Sequence, residues 1–133
     1  VGSLRTEEIR PPLDESIRQL SVDAGINVDI QIDGEPRRLS EAANHALFRA
    51  AQEGLTNIRK HAQANHSWVK LDFADPARTR LVIEDDGQGP STQTSNAGFG
   101  LQGMNERIEL LGGRVSSGPR HGGGFSLQVE VPA

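Results

Sequence analysis

Leu81-Val82-Ile83-Glu84-Asp85-Asp86-Gly87-Gln88-Gly89 is an apolar strand that closes on a carboxylate and runs straight into glycine. A carboxylate at the position of Asp85 can accept from an exocyclic amine. Gly87 and Gly89 would let a flat ring approach the backbone with no Cβ in the way. Taken alone, Asp-Gly is also an ordinary turn. Its neighbours decide between the two.

Downstream, residues 86–100 are rich in Gly, Pro, Ser, Thr and Asn and read as a loop, the one long irregular segment of the chain. It ends in Gly98-Phe99-Gly100-Leu101-Gln102-Gly103-Met104, which opens a helix carrying Leu101, Met104, Ile108 and Leu111 on one face and stopping at Gly112-Gly113. Free N–H groups and the helix dipole make such a start an anion site. The glycine spacing is not the dinucleotide fingerprint, because no strand immediately precedes it, and it lacks the Gly-Lys-Ser/Thr of a P-loop.

Upstream, Ser40 caps a helix over about 41–61 with Leu47, Ala51, Leu55 and Ile58 as its apolar stripe. At the roughly 100° per residue of an α-helix, Glu53, Asn57 and Lys60 share one flank beside that stripe. The carboxylate can orient or deprotonate a nucleophile, the amide oxygen suits Mg²⁺, and the ammonium can meet phosphate. A solvated polar face would look the same in isolation. In order, the three segments describe a nucleotide pocket: a polar helix flank, a strand-end carboxylate with bare backbone, and a helix start for phosphate.

Pro11-Pro12 with Leu13, Ile17, Leu20 and Ala24 predicts a first helix, stopped by Gly25. Ile26–Asp33 alternates as a strand; Val69, Leu71 and Phe73 alternate with Trp68, Lys70 and Asp72. The tail, Arg114–Ser117, a glycine-rich turn and then Phe125, Leu127, Val129 and Val131, predicts a hairpin. Alternation nearly everywhere means that each strand buries one face, so helices must cover that face alone. The expected fold is α+β: a two-layer α/β sandwich with a mixed sheet of about five strands and three main helices on one face.

Length and composition narrow the function. The 133 residues make one ordinary domain. A net charge of −4, with no basic stripe and only five aromatic residues (four Phe, one Trp), argues against a nucleic-acid partner. The absence of cysteine excludes disulfides and thiolate metal sites and fits a reducing compartment. No apolar run approaches the roughly 20 residues of a membrane span.

The combination Glu53-Gly54-Leu55-Thr56-Asn57-Ile58-Arg59-Lys60-His61-Ala62, Asp85-Asp86-Gly87-Gln88-Gly89 and Gly98-Phe99-Gly100-Leu101-Gln102-Gly103-Met104-Asn105-Glu106-Arg107 resembles, in order, the asparagine box and the two glycine boxes of the Bergerat ATP-binding fold. That fold is shared by DNA gyrase, the Hsp90 chaperones, MutL and sensor histidine kinases. The chain looks like the catalytic ATP-binding domain of a bacterial two-component sensor histidine kinase. Within these it resembles the nitrate-sensor and thermosensor branch, from about Leu13 to the end.

The resemblance implies ATP and Mg²⁺ as cofactors and a role for each motif residue. Asp85 would accept the adenine amine, with Gly87 and Gly89 lining the base pocket; Asn57 would ligate Mg²⁺. Glu53 would be the base or orienting carboxylate, with Lys60 and His61 near the phosphates. Gly98, Gly100, Leu101 and Gly103 would form the lid hinge and phosphate-binding helix start. Residues 1–12 are expected to be a remnant of an upstream dimerisation and phosphotransfer region, and 13–133 the catalytic domain.

The implied reaction moves the ATP γ-phosphoryl to a histidine on a separate dimerisation helix, for relay to a response regulator with a helix-turn-helix output. The domain itself would be cytoplasmic and touch neither membrane nor nucleic acid, membrane anchoring of the full-length protein being left open.

Two positions depart from the pattern. Phe125 stands where many relatives have Thr near the adenine. The phosphoacceptor, a His followed by an acidic residue, is missing: His45, His61, His66 and His121 precede Ala46, Ala62, Ser67 and Gly122. Alternative readings are an anti-sigma-factor-type serine kinase of the same fold and a non-catalytic nucleotide-binding module.

Overall fold

The computed structural model describes residues 12–62, 64–87 and 103–132, with the backbone alone at 61 and 62. Helix α1 (Leu13–Asp23) starts after Pro12 with Asp14 and Glu15 in its first turn, where acidic side chains complement the dipole. It buries Leu13, Ile17 and Ser21, one residue per turn, and the Ser21 hydroxyl is satisfied by donating to Ile17 O at 2.9 Å. Gly25, at φ 70°, ends it by adopting a conformation that a side chain would resist.

Strand β1 (Val28–Asp33) leads to helix α2 (Glu41–Asn57), whose start is fixed by Ser40 accepting from the Ala43 N–H at 3.1 Å. The buried face of α2 is unusually small-sided: Ala43, Ala46, Ala50, Ala51 and Gly54 beside Leu47 and Leu55. Small residues let the helix axis sit close to the sheet. At Gly54 the fit is tightest, since a Cβ there would lie 2.7 Å from Ile83 Cδ1. The α geometry stops at Asn57, and Ile58–Ala62 continues as a π-turn.

Strands β2 (Ser67–Asp72) and β3 (Arg78–Asp85) follow, then helix α3 over 103–110, and the hairpin of β4 (Arg114–Pro119) and β5 (Phe125–Pro132). The sheet order is β1-β2-β3-β5-β4, with β1 parallel to β2 and every other pair antiparallel. Val69, Leu71, Leu81, Ile83, Leu127, Val129 and Val131 face one continuous core with Ile17 of α1, Leu47 and Leu55 of α2 and Met104 and Ile108 of α3. The opposite face carries Trp68, Lys70 and Glu84 and has no helix among the described residues. The two-layer arrangement with a five-stranded mixed sheet is the one that the alternation predicts.

Candidate nucleotide site

Asp85 is the last residue of β3 and points to the helix side of the sheet, two residues after Ile83. Only 2% of its surface is exposed, yet among the described residues its carboxylate accepts a single hydrogen bond, from Gly87 N–H at 2.8 Å. Burial pushes its pKa up and the neighbouring Asp86 charge adds to this; the Gly87 N–H and the more distant Arg120 charge pull it down. With one bond from the described residues, the carboxylate keeps lone pairs that can accept further donors.

The surroundings of Asp85 are held from both sides. Gly124, at φ 102°, packs so tightly that a Cβ would collide with the Asp85 carbonyl oxygen and come within 2.9 Å of Asp86 Cα. Asp86 turns outward and its Oδ1 accepts from Asn65 N–H at 3.0 Å and His66 N–H at 2.9 Å, tying the strand end to the α2–β2 loop. The His66 N–H is the main reason that the Asp86 carboxyl is held below its ordinary range, with desolvation opposing it and the Asn65 N–H adding to it. In register, Asp85 is flanked by Ser67 on β2 and Phe125 on β5. Ser67 is buried and its hydroxyl is committed to Asn27 O at 2.7 Å, whereas Phe125 is half-buried and offers an apolar edge next to the carboxylate. Polar capacity and apolar wall therefore lie side by side, as a heteroaromatic ring with an exocyclic amine requires.

Helix α2 carries further candidate residues. Gly54 anchors it on Ile83, and Asn57, half-buried, is the last α residue, one turn further on. Glu53 is half-buried and borders a groove of about 410 Å³ between α1 and α2, beside Arg49 and Thr56. The π-turn changes one sequence expectation. Its wider i→i+5 pitch advances fewer degrees per residue, so the α spacing that puts Lys60 on the flank of Glu53 and Asn57 ends at Ile58. Lys60 is exposed.

Gly103 opens the described part of α3, and among the described residues nothing lies within 4 Å of where its Cβ would be. Gly89, Gly98, Gly100, Leu101 and the side chain of His61 lie outside the described residues. Sequence reasoning passed over Asp86 and Gly124. The run Gly122-Gly123-Gly124 was the available signal, since consecutive glycines often mark backbone that another segment must approach.

A small-sided helix layer on one face of a five-stranded mixed sheet, with a buried aspartate closing the central strand, is the two-layer α/β sandwich of this chain. Residues 42–133 match the family of histidine kinase-, DNA gyrase B- and HSP90-like ATPases, and the chain belongs to that family. Its relatives there are sensor histidine kinases. It is 34% identical to the histidine-protein kinase/phosphatase DegS of Brevibacillus brevis over 92% of this chain and 32% of DegS. It is 46% identical to UhpB, of the same description, from Salmonella typhimurium, over 68% of this chain and 18% of UhpB. The chain thus spans about a third or less of these relatives.

The catalytic domain of the histidine kinase ThkA superposes with a TM-score of 0.73 at 19% identity, covering 92% of this chain and 93% of that one. Full-length ShkA, solved with AMPPNP, gives 0.73 at 21% identity over 92% of this chain and 30% of ShkA. At such identities the structures speak for the fold.

Proposed function

We propose that this chain is the ATP-binding catalytic domain of a two-component sensor histidine kinase, which transfers the γ-phosphoryl of ATP to a histidine on a separate dimerisation helix. The observation that carries the reading is the buried, under-bonded Asp85 carboxylate beside bare backbone and the Phe125 edge. It would accept the 6-amino group of adenine, with Gly87 and Gly89 lining the ring. Gly98, Gly100, Leu101 and Gly103 would carry the lid hinge and the helix start that receives phosphate.

Asn57 would hold Mg²⁺ through its amide oxygen. Among the described residues no three His, Cys, Asp or Glu side chains cluster as a metal cage. A single protein ligand fits Mg²⁺, which keeps most of its shell as water and phosphate oxygen. When bound, the ion would neutralise charge on the phosphates. Glu53 would orient the incoming imidazole or take its proton, and Lys60 and His61 would lie near the phosphates. Phosphoryl transfer asks for positioning and charge neutralisation more than covalent help, and that is the work these residues would do. The partners are the dimerisation helices and a response regulator with a helix-turn-helix output, reached through the whole kinase. Among the described residues no helix is long and apolar enough to cross a membrane.

Calorimetric titration of the 133-residue chain with ATP and Mg²⁺ tests this. Asp85→Asn should weaken binding about tenfold or more, because the amide presents a donor where the base also donates. The chain alone should incorporate no label from γ-labelled ATP. Unchanged affinity in the variant would sink the site; self-labelling would sink the division of labour between two segments.

A further inference from the structure

The open face of the sheet carries a cluster that none of these roles uses. Asp29, Trp68, Glu84 and Ser126 are register partners across β1, β2, β3 and β5. Ser126 Oγ donates to Glu84 Oε2 at 3.0 Å. Arg120, from the β4–β5 connection, lies over this row. Its guanidinium carbon is 4.3 Å from the centre of the Trp68 ring, and its Nε is 3.5 Å from Glu84 Oε1.

The same residue also closes its own turn. Arg120 N–H donates to Gly124 O at 2.9 Å, Gly123 N–H donates to Arg120 O at 3.0 Å, and an Arg120 terminal nitrogen donates to Gly123 O at 3.1 Å. Gly122, Gly123 and Gly124 lie at φ 93°, 109° and 102°. Three glycines in succession bring almost no stiffness of their own. Among the described residues, Arg120 is the only side chain of 120–124 with a hydrogen bond or ion pair. Yet this turn delivers Gly124 to the back of the Asp85 carbonyl.

An isolated surface ion pair contributes little. Here one guanidinium is stacked on indole, paired with a carboxylate that a hydroxyl also holds, and bonded to its own turn; it is only 25% exposed. Planar stacking combined with forked donation is a task for arginine, not lysine.

We propose that Arg120 is a positioning residue for adenine recognition: it clamps the triglycine turn onto the open face of the sheet, and so fixes Gly124 behind Asp85 and the direction in which the Asp85 carboxylate points. The proposal rests on the reading of Asp85 as the base-recognising group. Trp68 and Glu84 are the anchor, on the face of the sheet away from the nucleotide. Specificity would thus be set partly from the far side of the β3 strand.

The test compares ATP with purine riboside triphosphate, which lacks the 6-amino group, by calorimetry on the whole chain with Mg²⁺. Wild type should prefer ATP about tenfold or more, since a site built to bond an amine is left unpaired by its absence. Arg120→Ala should cut that preference to less than about threefold while leaving affinity for the analogue nearly unchanged. Trp68→Leu, which removes the platform under an intact Arg120, should do the same in part, and Arg120→Lys should restore the preference only in part. A merely structural role would weaken both nucleotides alike and leave the ratio as it was. If wild type prefers ATP and Arg120→Ala keeps that preference, the clamp alone is overturned. If wild type shows no preference, the Asp85 reading falls and takes the clamp with it.

Discussion

The two ends of strand β3 treat buried polar groups in opposite ways. Where the strand begins, Arg37 gathers the neighbouring backbone. It donates to Phe73 O at 2.9 Å and to Asp75 O, Arg78 O and the hydroxyl of fully buried Thr79 at 3.0 Å each, with its guanidinium 5.6 Å from the centre of the Phe73 ring. The acceptors there are filled by the protein itself, and only Arg37 Nε is buried without a partner among the described residues. Where the strand ends, Asp85 is just as buried and accepts one backbone N–H. The first end is finished by folding; under the proposed function the second would be finished by a ligand. A buried acceptor left under-bonded costs stability, and that cost is retained only where something else repays it.

Each end also has a glycine pressed on foreign backbone, which allows the comparison to be broken. Gly34, at φ 77°, would place a Cβ 2.7 Å from Ala74 N; Gly124, at φ 102°, would drive one into the Asp85 carbonyl. Alanine at either position combines a strained conformation with a clash against main chain, so each should cost about 3 kcal/mol or more in urea unfolding. The losses should be similar and the functional outcomes different. At a temperature where both remain folded, Gly34→Ala should bind ATP like wild type and Gly124→Ala should not. Equal loss of binding in both would mean that the ends are not independent.

Arg37→Ala comes next, at about 2–3 kcal/mol, because it leaves several partly buried acceptors without donors at once. The folded fraction should bind ATP within about twofold of wild type. A larger change in affinity would show that the closed end of the sheet shapes the open one.

How far the sequence showed this depends on the range of the interaction. Local rules located what local physics determines: the Ser40 cap, the stop at Gly25, the alternation of β1, β2 and β5, the apolar run of β3, and the stripe of Leu47, Ala51, Leu55 and Ile58, all four of which are buried. Asp85 was legible because a carboxylate closing an apolar strand before glycine is a local anomaly. The π-turn at Ile58–Ala62 was not, because nothing in Ile-Arg-Lys-His-Ala opposes α geometry by propensity. Strand β3 begins at Arg78, three residues before its apolar run, because pairing of Arg78, Thr79 and Arg80 with β5 extends it. The arginines were the largest omission. Arg37 bonds residues 36 to 42 positions away, and Arg120 reaches Glu84 and Trp68 across two strands; charge and composition carry no trace of either partner.

The smallest effect sharpens the comparison most, because it concerns adjacent residues. Asp85 and Asp86 should make opposite contributions to the pH dependence of stability. Burial raises the folded pKa of Asp85 above the ordinary 3.8, so its ionised form opposes folding at neutral pH, and that penalty fades as pH falls through the raised pKa and is gone below 3.8. The N–H donors of His66 and Asn65 lower the folded pKa of Asp86, so its charge favours folding above 3.8, and the benefit is lost only as pH falls through the lowered value. Among the described residues, the charged and titratable groups acting on this pair are each other, the more distant Arg120 on Asp85 and His66 on Asp86. Urea midpoints at a series of pH values should therefore place Asp85→Asn above wild type at pH 7, with the gap closing on acidification. Asp86→Asn should lie below wild type at pH 7, with its gap closing only in the more acidic range. If Asp85→Asn were instead the less stable chain at pH 7, the Asp85 carboxylate would be satisfied within the fold, and the two ends of β3 would be alike.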